Sequence, residues 1–173
     1  ERRHPAFCAA VLRQLDGLAD PATPNLQRYL ETAAGLAPPA DATSEIEAHD
    51  LRVEAVTGGT FRNQDMRGYG GVWKNDRHMW WTGAAVGDRV QLGFDVAAAG
   101  SYELSLTMTR APDYGIVQVS LDGQLLGGPL DLYDRGVVAT GPIPLGEQRL
   151  GAGAHRLTFA MLGSNPSAAP ARM

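Results

Sequence analysis

The chain has 173 residues and a net charge of −4, from 15 basic and 19 acidic side chains. That balance excludes a partner bound by phosphate neutralisation, which needs a basic surface, so no nucleic-acid partner is expected. Apolar content of 44% supports a real core, while uninterrupted apolar runs of about four residues are too short to cross a bilayer, so no membrane partner is expected.

Of the basic residues 14 are Arg and one is Lys, Lys74, beside 25 Ala. This reads as the compositional bias of a GC-rich genome rather than as phosphate recognition. The single cysteine, Cys8, excludes an intrachain disulfide and a cysteine-based zinc site. The chain starts at Glu1 and stops at Met173 straight after a loop-like stretch, so it is expected to be a piece of a longer protein.

Residues 1–44 hold two glycines and residues 45–173 hold nineteen. In the first part Phe7, Val11, Leu15 and Leu18 recur at helical spacing, which predicts a helix over 5–19 ended by Asp20-Pro21. Thr23-Pro24 then reads as an N-cap, and Leu26, Tyr29, Leu30 and Ala33 as the stripe of a second helix over 24–34. Two such short helices need a partner for their stripes. The expectation is a helical hairpin and linker over 1–44, the tail of an upstream domain, followed by a β-sandwich module over 45–173.

From Glu45 the apolar period changes to two. Val90, Leu92, Phe94 and Val96 form one inward set, and Tyr102, Leu104, Leu106 and Met108 a second. Val117, Val119 and Leu121 form a third, and Leu157, Phe159 and Met161 a fourth. Residues 46–56 are a fifth candidate strand with Val53 and Ala55 inward. Residues 136–146, broken by Pro142 and Pro144, are a sixth, at an edge. Asp122-Gly123 signals a type I′ hairpin. Strands 88–96 and 101–110 read as a hairpin around Ala99-Gly100. Many short strands without helices between them predict a mainly β, antiparallel sandwich.

No catalytic constellation stands out: there is no G-x-S-x-G elbow, no H-E-x-x-H and no phosphate loop. No catalytic residue, metal ligand or cofactor is nominated, and an accessory domain is expected rather than an enzyme. The unusual segment is 60–83, expected to be a long loop. It holds Trp73, Trp80, Trp81, Phe61 and Tyr69 with Arg62, Asn63, Gln64, Asp65, Asn75, Asp76 and Arg77 among them. Aromatic faces stack on sugar rings, and carboxylates, amides and guanidinium groups bond vicinal hydroxyls. A second polar-aromatic turn covers 110–115. If the two segments converge, Trp73, Asn75, Asp76, Arg77, Trp81, Asp113 and Tyr114 are the candidate ligand-binding residues. Each tryptophan has the competing reading of an ordinary core residue.

Several stretches together resemble carbohydrate-binding-module-like β-sandwiches with a galactose-binding-domain-like jelly roll. These are Ile46 to Leu51, Trp80 to Asp88, Ala99 to Leu104, Asp113 to Gly123, Pro129 to Tyr133 and Leu150 to Leu157. The resemblance implies a non-catalytic appendage of a large bacterial multidomain protein, secreted or periplasmic, that binds a saccharide weakly or packs on a parent-protein domain. A third reading is the β-rich portion of a glycoside hydrolase. It also implies a structural calcium held by acids of the opening strand, but His49 stands where the second acid belongs, leaving Glu47. A final strand of the relatives has no counterpart before Met173.

Overall fold

The computed structural model describes residues 6–15, as backbone, and 43–169. Eleven strands are assigned among these residues. They are β1 (Ala6–Leu15), β2 (Thr43–Glu47), β3 (Arg52–Val56), β4 (Thr60–Asp65), β5 (Arg77–Thr82) and β6 (Arg89–Val96), then β7 (Gly100–Arg110), β8 (Gly115–Leu121), β9 (Gln124–Asp131), β10 (Val138–Leu150) and β11 (Gly153–Ser164). They form two sheets. One has the order β10-β7-β1-β5-β4 with β2 paired to β1, and the other the order β3-β6-β11-β8-β9. Every strand pair is antiparallel.

All fourteen residues of the four predicted inward sets are buried, from Val90, Leu92, Leu106, Val117 and Val119 at 0% exposure to Phe94 and Tyr102 at 7%. They join one hydrophobic cluster to which both sheets contribute. Period-two alternation fixes the register, because a one-residue slip would turn each set to water. The Asp122-Gly123 turn also forms as read: Leu121 pairs with Gln124, and both turn residues have positive φ, 49° and 86°, as type I′ requires. Asp122 also clamps the turn to β11, with Oδ1 accepting from the Arg156 amide at 2.8 Å and Oδ2 lying 2.7 Å from His155 Nδ1.

Four expectations are corrected. The predicted helix over 5–19 is not seen, since residues 6–15 form β1, bonded to β7 along one side and to β2 and β5 along the other. Residues 6–12 are apolar without a break, so a helical stripe drawn through them is degenerate. As a strand, the segment satisfies the peptide groups of β7, which a helix would leave unpaired. The predicted helix over 24–34 lies outside the described residues. Residues 46–56 are two strands, β2 in one sheet and β3 in the other, and Val53 is 49% exposed because β3 is an edge strand. Strands β6 and β7 lie in opposite sheets rather than in a hairpin. A short bend, with Tyr102 donating its hydroxyl to the Ala98 carbonyl, carries the chain across. Alternation reports which side chains point inward and is silent on which strand is the neighbour.

Segment 60–83 is not a long loop. Strands β4 and β5 pair from Thr60–Thr82 to Asp65–Arg77, and only residues 66–76 form the loop between them. Gly59 permits the entry: its φ is +74°, and a Cβ there would meet the Thr82 carbonyl oxygen at 2.3 Å.

Phe159, 4% exposed on β11, tests the shared core. Phe159→Ala is expected to lower unfolding free energy by about 3–5 kcal/mol, through lost transfer energy and the cavity left behind. Urea unfolding measures it, and a loss below about 1 kcal/mol would place the ring outside the core.

Candidate functional site

Loop 66–76 folds back over the outer face of the six-stranded sheet. Two short 3-10 turns build it, Arg67–Tyr69 and Lys74–Asp76. Met66 and Trp73 are buried at 1% and 4% exposure. Trp73 Nε1 donates to Thr109 Oγ1 at 2.8 Å, a bond between the loop and β7. His78, 2% exposed, lies edge-on to the Trp73 ring at 6.4 Å. Its Nδ1 is 3.0 Å from Thr109 Oγ1, and its Nε2 is 2.6 Å from Gln64 Oε1. A buried imidazole with both nitrogens engaged is what a low-dielectric site tolerates.

Above this network lies a depression of about 580 Å³ lined by Asn63, Gln64, Asp65, Arg67, Asn75, Asp76 and Arg77. Each of those side chains can hydrogen-bond a ligand. Asn75 and Asp76 sit at φ of 55° and 50°, left-handed backbone that Asn and Asp adopt more readily than most residues and that nonetheless costs free energy. Arg67 donates its Nε to both oxygens of Asp65 at 3.0 and 2.9 Å, and its Nη2 to Oδ2. These bonds hold the Asp65 carboxyl down to about 2.

The predicted site residues divide. Asn75, Asp76 and Arg77 line the depression. Trp73, Trp81 and Tyr114 are buried at 4%, 2% and 2% exposure. Buried rings offer no face to a sugar, so the expectation of stacking on them is corrected. Trp81 donates to the Gly58 carbonyl at 2.8 Å. Trp80 is also buried, with the Arg62 guanidinium 5.0 Å from its ring centre. Consecutive tryptophans on a strand point to opposite faces, and both faces of β5 are covered, one by the core and the other by the loop. Asp113 is half-buried and not among the residues lining the depression. The Trp73–Thr109 bond ties segment 60–83 to the end of β7, just before the 110–115 turn. Asn63, Gln64, Asp65 and Arg67 also line the depression and are not in the candidate set read from the sequence. The signal for Gln64 was the pairing of a polar strand, 62–65, with a polar run ending at Arg77.

A larger depression of about 670 Å³ lies on the outer face of the five-stranded sheet, over Gln91, Gln118, Ser120 and Thr158. Arg156 pairs there with Glu54 and His155 with Asp122, and Arg89 also lines it. None of its lining residues comes from either predicted loop.

Calcium does not fit the opening strand. Lys74 Nζ lies 3.0 Å from Glu47 Oε1 and 3.3 Å from Glu45 Oε2, so an ammonium already answers both carboxylates. The His49 imidazole is 3.7 Å from Asp50 and is a poor donor to a hard cation. Among the described residues, no three acidic, His or Cys side chains cluster as a metal site.

This architecture defines an antiparallel β-sandwich. It is similar to part of a xanthan lyase from Paenibacillus, with a TM-score of 0.61 and 20% identity over 70% of this chain and 11% of that one. The chain thus spans about a tenth of that lyase's length, and at this identity the likeness shows the fold alone. A GH26-CBM35 β-(1,4)-mannanase from Podospora anserina aligns more loosely, with a TM-score of 0.42 and 20% identity over 70% of this chain and 27% of that one. No family model and no curated protein matches the chain.

Burial depresses His78 from 6.5 to about 4. Between those values the unfolded chain binds a proton that the folded ring refuses, so stability falls as pH falls. The window runs from about pH 6.5 down to 4, and at 1.36 kcal/mol per pH unit the loss is on the order of 3 kcal/mol. Denaturant unfolding at pH 7 and pH 4 is expected to show His78→Gln losing less stability than the wild type across this window. An equal loss in both would assign the acid sensitivity to other groups.

Proposed function

We propose that the chain is a non-catalytic accessory module of galactose-binding-like jelly-roll type that binds a saccharide through the depression at the end of the β4–β5 hairpin. The observation that carries this reading is the lining: seven hydrogen-bonding side chains and no apolar one, over a buried support and on backbone held in a costly conformation. Backbone strain of this kind is found at ligand sites as well as in turns. The lining has two arginines and two aspartates, a charge balance that suits a neutral saccharide better than a uronate. The Asp65 carboxyl is held low, the opposite of what a glycosidase's acid needs. The similarity of the fold to part of a xanthan lyase fits a carbohydrate-associated domain.

Burial of all three tryptophans removes the stacking contribution, so weak binding is expected. It also favours a second reading, a structural module that packs against its parent protein. Edge strand β3 exposes Val53 and Val56, at 49% and 37%, which an adjoining domain could cover.

Calorimetric titration against neutral tetrasaccharides of glucose, galactose and mannose, and against uronate oligomers, tests the first reading. A neutral sugar is expected to bind, and Asp76→Asn or Arg77→Ala to weaken it at least tenfold with the unfolding midpoint unchanged, since Asn also accepts the left-handed backbone at 76 and the Arg77 side chain is exposed. No binding to a folded protein would contradict it and leave the structural module.

A further inference from the structure

We propose that His78 is a positioning residue that fixes the Gln64 amide with its NH2 group toward the depression, so that the site selects a ligand presenting an acceptor oxygen there. The proposal rests on the saccharide reading of that depression and deepens it.

The argument is one of hydrogen-bond direction. Trp73 Nε1 can only donate, so at 2.8 Å Thr109 Oγ1 accepts. At the far end His78 Nε2 faces the Gln64 carbonyl oxygen at 2.6 Å. A carbonyl oxygen can only accept, so Nε2 carries the hydrogen. Burial keeps the ring neutral, and a neutral imidazole has one N–H. Nδ1 is therefore an acceptor and takes the Thr109 hydroxyl hydrogen across 3.0 Å. The direction runs from Trp73 through Thr109 and His78 to Gln64.

The consequence lies at the surface. Gln64 is half-buried and lines the depression. With its oxygen turned inward to His78, its NH2 group is the end left for a ligand. The reverse amide orientation would need hydrogen on Nδ1 instead, so the ring tautomer and the amide's polarity are a single variable. Asp65 and Asp76 on the same lining are acceptors. A hydroxyl of a neutral sugar can accept from Gln64 and donate to a carboxylate at once, which a carbonyl or ether oxygen cannot do.

Nitrogen NMR of the full chain at pH 8 reads the tautomer directly. The expected result is Nε2–H with an unprotonated Nδ1; an Nδ1–H ring overturns the proposal. Gln64→Glu supplies the second arm. Its carboxylate still accepts from Nε2–H and keeps nearly the same shape, but it has no donor. At pH 8 its unfolding midpoint should match the wild type, and its affinity for the best neutral tetrasaccharide of the panel should fall at least tenfold. Undiminished affinity overturns the selection of an acceptor oxygen. If the wild type binds none of the tetrasaccharides, the saccharide reading fails, and the tautomer still decides which way the amide faces.

Discussion

The bond from the Trp73 indole to the Thr109 hydroxyl is the constraint on which the candidate site depends. A loop between paired strands would ordinarily stand in water. This one carries an apolar ring whose single polar atom finds its acceptor on β7, so burial of the ring and satisfaction of its N–H are achieved together. The loop is drawn down over β5 as a result. His78 loses its water, both its nitrogens must find protein partners, and Gln64 is taken as one of them. Above the covered face, Asn75, Asp76 and Arg77 are left with only solvent beyond them. The depression is thus the upper surface of a small second core.

The sandwich was legible in the sequence where side chains alternate and opaque where the question was which strand lies beside which. Leu104, Leu106 and Met108 announce an inward face, and their burial follows. Nothing in Ala97-Ala98-Ala99 announces that the chain crosses to the other sheet, because a hairpin and a corner both need only a short connection. β1 escaped for a different reason. Between Ala6 and Leu12 there is no polar residue to set a period, and the segment's place is decided by the open side of β7, a partner more than eighty residues away.

The site was half legible. The clustering of Trp73, Trp80 and Trp81 with amides and charges falls in the segment where a polar depression forms, with the aromatic residues buried and the polar ones at its lining. Trp80 and Trp81 on β5 and Trp73 in the loop before it are large rings well suited to covering a sheet, and all three are buried. The polar residues left at the rim are the ones that meet solvent. A polar site without a stacking surface gains only the modest net energy of hydrogen bonds exchanged with water. The proposed module would therefore hold its ligand loosely, and would act by keeping a larger protein near a polymer rather than by gripping a single sugar.

The most direct test of this account is a backbone amide NMR titration of the chain with the neutral tetrasaccharides. The account predicts that shifts concentrate at residues 63–67 and 75–77, with a smaller response at His78 beneath them. Shifts confined to the outer face of the five-stranded sheet, around Gln91, Gln118 and Thr158, or no shifts at saturating sugar, would contradict it.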